Sequence, residues 1–366
     1  MQNQNTNTQQ TEISKCGGCG SNLQFSPGHQ ALRCGHCASE SPIRGMAPAV
    51  NLPISQLAVQ NQWKDETHVY VCENCGASEV LNRTEIATAC AFCGTTNIVE
   101  KEGLAGLKPN AVVPFRLELD KAAYIAGKWF KKRLFAPSSF KASAEPQEVK
   151  GVYYPAFAFN AETMSQFRGV LVRTFTTTTV VNGKTVVTTH EQRFPVSGNF
   201  PRNFSDVLIQ ACAGLRTKTM RRIQPFSLNR MAAYSPDFLF GFVANQHTKD
   251  GRTSWNEARG FMDTAIRNEI LRQYTYTRVE SLQVNTVTRG ETFKYSMLPV
   301  YVGHCTYKGK LYNFYINGEN GKLDAEAPLC VPKIVLTILF PIGLLVLLGL
   351  GIKKLFRKIF KRRKKI

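Results

Sequence analysis

Eight of the eleven cysteines form four Cys-x-x-Cys pairs. Cys16, Cys19, Cys34 and Cys37 frame "CGGCGSNLQFSPGHQALRCGHC", with fourteen residues between the pairs. Fifty-six residues later, Cys72, Cys75, Cys90 and Cys93 frame "CENCGASEVLNRTEIATACAFC" with the same gap. A Cys-x-x-Cys turn points two sulfurs at one cation, and a second turn returned by a hairpin completes a tetrahedron with Zn–S of about 2.3 Å. Repetition of the whole constellation argues against coincidence. Gly17, Gly18, Gly20, Gly35, Gly76 and Gly94 suit knuckle turns in which backbone amides approach the sulfurs. The pattern predicts two four-cysteine ribbons holding two structural Zn2+ ions, with no ligand position left open for catalysis.

Other uses of these sulfurs fit less well. Residues 1–14 are polar and read as disordered, with no secretory signal before the cysteines, so the expected compartment is reducing and disfavours a disulfide framework. A thioredoxin-type pair occurs once, at a helix start in a βαβ unit. Rubredoxin-like iron shares the ligand type and stays open as an alternative. His29, His36 and His68 lie near the ribbons but read as loop residues, because four sulfurs already fill each site.

The formal charge is +20, and its distribution matters more than its size. Residues 1–100 hold five Lys or Arg (Lys15, Arg33, Arg44, Lys64, Arg83) against eight Asp or Glu. Residues 101–332 hold 31 basic against 18 acidic side chains, and ten basic residues with no acidic one follow from Lys333 onward. Zinc ribbons that grip nucleic acid carry Lys and Arg on their own hairpins, because phosphate neutralisation supplies most of the affinity. An acidic ribbon half points instead to protein binding or a structural role.

The elements that would position these ribbons read as an α+β fold. Residues 15–45 and 66–100 form the ribbons, and 108–328 the α+β domain. A helix is expected from about Asp120 to Leu134, with Asp120 as N-cap and Ala123, Ile125, Trp129 and Phe130 as its apolar stripe. "VKGVYYPAFAFNA" reads as an aromatic strand that Pro155 marks as an edge or a bulge. A β-hairpin turning at Asn182-Gly183 follows. A helix near Ser205–Leu215 precedes loops. Residues 253–274 form an amphipathic helix with Ala258, Phe261, Met262, Ala265, Ile266 and Ile270 on one side. Two strands joined near Lys308-Gly309 close the domain and end at Asn317-Gly318. Helix–strand–strand therefore occurs twice, predicting two half-units packed together.

No catalytic constellation is present in the sequence. The Gly-Lys-Thr at 183–185 lacks the upstream glycine of a phosphate-binding loop, and neither G-x-S-x-G nor H-E-x-x-H occurs. Cys212 and Cys305 read as buried, inert thiols, and His304 points away from Cys305 on the same strand. The protein is expected not to be an enzyme. Cys330 stands where acylation is conceivable, though a plain cysteine is the simpler reading.

Paired ribbons followed by "VVPF", "FAP", "GVYYPAFAF", "YSPDFLFGF", "TFKYSMLPVY" and "GKLYNFYINGENGKL", then a C-terminal apolar segment, resemble a family of bacterial membrane-associated proteins with TFIIB-type zinc ribbons. Some members are labelled primosomal or replication-restart helicase-like. The resemblance runs through nearly the whole chain in order, with Ala156 and Tyr301 at positions where tryptophan is expected. It implies a scaffold facing the cytoplasm that works with SPFH (flotillin-type) and phage-shock-protein A-type partners in membrane stress.

The nineteen residues 334–352 carry no charge and as a helix would span about 28 Å. They predict a C-terminal transmembrane helix in the inner (cytoplasmic) membrane, single-pass, with the soluble domains in the cytoplasm. Re-entry at Pro341 is the alternative to spanning. Residues 353–366 read as a basic amphipathic tail suited to anionic membrane lipid, with Leu355, Phe356, Ile359 and Phe360 on one face. The combined expectation is a membrane-anchored zinc-ribbon adaptor. The other reading is a nucleic-acid-associated factor of the replication-restart or transcription type, without helicase activity.

Overall fold

The computed structural model describes residues 15–44, 46–58, 67–73, 78–82, 98–101, 107–212, 215–245, 247–340, 348 and 351–352. The chain is mostly β, organised by a large curled antiparallel sheet, and not the α+β pair of half-units expected. Three strands dominate it: Gln147–Val181, Lys184–Gln210 and Arg278–Tyr307. The first lies between the other two. It pairs with the second from Ala156 to Val181 and with the third from Gln147 to Val172.

The expected helix–strand–strand repeat dissolves because strands read as separate are continuous. "VKGVYYPAFAFNA" and the first arm of the hairpin are one strand of 35 residues. The helix expected near Ser205–Leu215 is the end of the second long strand, which runs to Gln210. The prolines that suggested breaks sit at seams between neighbours. In a strand, a residue's N–H and C=O point the same way. The Pro155 carbonyl accepts from Ala211 N–H. Its missing N–H therefore faces the gap between Gln210, where the second strand ends, and Val243–Asn245, which pairs in parallel with Val152–Tyr153. Pro299 is placed likewise: its carbonyl accepts from Gly318 N–H, where the ladder with Lys310–Asn317 stops. Pro155 thus occupies a central strand without leaving a ladder bond unmade.

Burial along the first strand changes in steps. From Gly151 to Phe159 both faces are covered. Val152, Tyr154, Ala156 and Ala158 pack on one side with Met220 and Ile223 of the short helix Thr217–Ile223. Phe157 and Phe159 pack on the other with the helix Gly251–Arg272. Ala258, Met262, Ile266 and Ile270 form that helix's buried stripe, while Phe261 lies outside it at 58% exposure. Between Asn160 and Leu171 mainly the helix-facing positions are buried, and beyond Arg173 both faces are exposed.

A third cluster joins Tyr153, Tyr301 and Phe115 to the helix Leu119–Lys131. Its buried positions are Ala122, Ala126 and Phe130, and Glu118 rather than Asp120 occupies the N-cap, without a side-chain cap bond. Phe115 stacks on Phe242 at 4.3 Å, and a Cβ on Gly151 would overlap the Phe242 ring, which explains a glycine inside this strand.

The structure does not bear out the predicted C-terminal transmembrane helix. Residues 331–340 are helical, but among the described residues no helix is long and apolar enough to cross a membrane. Residues 341–347, 349–350 and the basic tail at 353–366 lie outside the described residues, as do residues 1–14. The single-pass topology loses its structural support with that helix.

Candidate metal centre

The first cysteine set folds around a hairpin. Leu23–Ser26 pairs with Ala31–Cys34, and Glu40–Ser41 adds a third short strand. Two matching knuckles flank it. In one, Cys16 N–H donates to Ser21 O at 2.8 Å and Gly20 N–H to Cys16 O at 2.8 Å. In the other, Cys34 N–H donates to Ser39 O at 2.9 Å and Ala38 N–H to Cys34 O at 3.0 Å. Gly20 and Ala38 both adopt positive φ, 73° and 60°. The sequence repeat behind this is C-G-G-C-G-S against C-G-H-C-A-S, and it marks Ser21 and Ser39 as supporting residues that the cysteine spacing alone did not reveal.

The geometry suits a metal. The Sγ atoms of Cys16, Cys19, Cys34 and Cys37 all lie within 4.8 Å of one another. Cys16 Sγ is 3.3 Å from Cys37 Sγ, and Cys19 Sγ is 3.5 Å from Cys34 Sγ. Sulfurs about 2.3 Å from a central ion would stand about 3.8 Å apart, whereas a disulfide needs about 2.05 Å. The four are free cysteines, too far apart for disulfides and close enough to share one ion.

The surroundings favour thiolate. Gly18 and Cys19 amides lower the Cys16 pKa. The Ser21 hydroxyl and amide lower that of Cys19, and the Ser39 hydroxyl and amide lower that of Cys37. For Cys34 the Cys37 and His36 amides pull the same way, but burial and the adjacent Cys19 and Cys37 sulfurs hold its pKa above the ordinary value. Four crowded sulfurs cannot all ionise without a compensating charge, which is what a divalent cation supplies. The donor set therefore fits a divalent metal ion such as Zn2+, which Cys16, Cys19, Cys34 and Cys37 would hold. His29 is engaged elsewhere: its Nδ1 lies 2.7 Å from Glu40 Oε1.

The knuckle is fastened to the body. Cys16, Phe25, Leu32, Cys34 and Ile43 share one core cluster with Phe238 and Phe240. Phe25 meets Phe238 edge-on at 5.3 Å, and its N–H donates to Phe240 O at 2.9 Å. Gly28 N–H donates to Glu118 Oε1 at 2.6 Å, and a Cβ there would stand 2.5 Å from the same oxygen. Asp237, fully buried, accepts from Arg44 N–H at 2.9 Å and pairs with Arg44 Nη2 at 2.9 Å. None of these partners was visible in the sequence pattern, because they lie 90 or more residues away.

The second set is only partly placed. Thr67–Cys72, Ser78–Asn82 and Ile98–Lys101 form a three-stranded antiparallel group, joined to the main sheet where Val80 pairs with Ala244. The backbone of Cys72 ends the first of these strands. Its side chain, and Cys75, Cys90 and Cys93, lie outside the described residues. Among the described residues the cluster at Cys16–Cys37 is the one candidate metal group. Cys212 and Cys305 are buried, and burial pushes the Cys305 thiol up.

No family model and no solved structure matches the chain, so its class rests on the fold and the site: a mostly β protein carrying a four-sulfur knuckle. A Bacillus subtilis (strain 168) protein, uncharacterized protein YdjG, is 24% identical to it over 322 residues, 87% of this chain and 91% of that relative.

Proposed function

We propose that this chain is an adaptor at the cytoplasmic face of the membrane, in which zinc-held knuckles present a protein-docking surface. Residues 334–366 would bring it to anionic lipid through a charge-free stretch followed by nine basic residues. The observation that carries the reading is the seating of the first sulfur site. Its base is bonded to the body through Phe25, Gly28 and Arg44. Its tips at Gly17–Gly20 and Gly35–Ser39 are exposed and carry no Asp, Glu, Lys or Arg. A closed four-sulfur site does no chemistry on a substrate, so it is read as a rigid support for a contact surface. Nucleic-acid binding is the less favoured reading, since Arg33 on this hairpin already faces Glu40. Cys72, Cys75, Cys90 and Cys93 are proposed to hold a second ion in the same way. Partners of the SPFH and phage-shock-protein A types remain those suggested by the sequence resemblance.

Crosslinking in intact membranes, followed by recovery of the full chain, tests this. Two zinc ions per chain are expected, and Cys16→Ser with Cys19→Ser should lose one ion together with the crosslinked proteins, while Cys212→Ser should lose neither. The reading fails if the double variant keeps its partners, or if the wild-type chain binds nucleic acid tightly at physiological salt.

A further inference from the structure

The hairpin arm beyond Arg173 presents an open edge that differs in composition from the other open edge beside it. The third long strand begins at Arg278, opposite Val172, so from Thr174 onward the first strand has, among the described residues, a paired strand on one side only. Thr174 N–H still finds Thr277 Oγ1 at 2.9 Å, which fixes the direction in which even-numbered residues present their backbone. Thr176, Thr178 and Val180 therefore point their N–H and C=O groups outward from an open edge.

Two-stranded hairpins are marginal in water without a third strand or a covering layer. This arm has neither among the described residues. Phe175, Val180, Val181, Val186 and Val187 are 43–72% exposed. Its order comes from β-branched residues, from the turn at Asn182 and Gly183 (φ 53° and 71°), and from Phe175 stacked on His190 at 5.3 Å. Open edges are ordinarily blunted by charge, proline or a bulge. The outer edge of the second strand has all of these: Lys184, Glu191 and Arg193, then Pro195 and Pro201, then a bulge between Phe204 and Val207. The edge Thr174–Val181, "TFTTTTVV", has none.

We infer that this edge pairs with the same edge of a second copy, antiparallel about a two-fold axis at Thr178, making a continuous four-stranded arm. The choice of occupant follows from self-complementarity. An isologous strand pair sets each residue opposite its mirror position, so any charge within the run would face a like charge or an apolar partner. Here Thr178 faces Thr178, Thr176 faces Val180 and Phe175 faces Val181. The pairing runs from Phe175 to Val181 and stops where Thr277 flanks Val172 and Thr174. The first knuckle packs at the opposite end of the long strands, in one cluster with Tyr153 and Tyr301. A dimer joined at the arm tips would therefore carry its two knuckle surfaces far apart, as a bivalent binder.

The mass of the full-length protein in nonionic detergent, measured by light scattering over a dilution series, tests the pairing. Wild type is expected to show two 40.9 kDa chains at the higher concentrations. Thr176→Lys with Thr178→Lys should halve the mass, and Thr189→Lys on the neighbouring strand should not. Amide exchange at Thr176, Thr178 and Val180 should be slow in the dimer and speed up on dilution, without change at Phe157 or Phe159. A single-chain mass at every concentration overturns the inference. So does a dimer that survives the double lysine variant, or edge protection that ignores dilution, which would assign the edge to a different strand.

Discussion

Tyr153 and Thr178 lie on one strand, twenty-five residues apart, and are held by different forces. At Tyr153 the strand is buried on both faces, with Phe115 edge-on at 4.9 Å and the third strand paired alongside. Burial raises the Tyr153 pKa far above the ordinary tyrosine value. At Thr178 there is one paired strand among the described residues, and the side chains from Phe175 to Val181 are exposed. The inner part is held by apolar area removed from water, whereas the outer part relies on local β-preference and a tight turn. A long strand is therefore no single energetic unit. Burial sets where it is rigid, and residue type sets how far it continues.

The largest expected effect tests that contrast directly. Phe159 is fully buried, 5.7 Å from Phe157 and 5.3 Å from Trp255, so Phe159→Ala should cost about 3–5 kcal/mol in denaturant unfolding. Phe175→Ala, an aromatic deletion on the same strand, should change stability by about 0.5 kcal/mol or less. Equal losses would mean that the arm is packed against something, and the comparison would break.

A smaller effect is expected where the knuckle meets the inner end. Asp237→Ala removes the buried acceptor of Arg44, and charged hydrogen bonds of this kind are worth about 1.5–3 kcal/mol. Because Arg44 is half exposed and can turn to water, the lower part of that range is expected. Exchange should quicken at Phe25 and Leu32 and stay unchanged at Thr176–Thr188. A matching change in the arm would show that the two ends are coupled.

What was legible in the sequence follows the same division. The spacing of Cys16, Cys19, Cys34 and Cys37 is local, and so are the turns at Asn182-Gly183 and Lys308-Gly309, and all three are legible in the sequence. The helix Gly251–Arg272 was readable from its period, although Phe261, placed on its buried side, is exposed. The continuity of the long strands was not readable. Pro155 and Pro299 look like breaks until the handover between neighbouring strands is known, and that handover joins residues far apart in sequence. For the same reason the local pattern reads as two α+β half-units, where the structure has continuous long strands. The apolar run at 334–352 suggested a spanning helix from composition alone. The partners of the knuckle, Glu118 and Asp237, carry no local signal at all.

The smallest effect concerns the middle stretch, where the helix Gly251–Arg272 is the main cover for one face. Asp250 caps that helix: its Oδ1 accepts from Thr253 N–H at 2.7 Å and its Oδ2 from the Thr253 hydroxyl at 3.0 Å. Losing such a cap costs about 1 kcal/mol. The bond from the Thr253 amide also lowers the Asp250 pKa below its ordinary value. A carboxyl whose pKa is depressed by folding stabilises the fold above its unfolded pKa and loses that contribution as pH falls through the folded value. Asp250→Ala should therefore be less stable than wild type at neutral pH, and the gap should narrow below about pH 4. The loss should appear as faster exchange at Phe167 and Leu171, which pack in the cluster covered by this helix, and not at Val152 or Tyr154, which pack on the other face. A gap that stays constant with pH would mean that the Asp250 charge is not what holds the helix start.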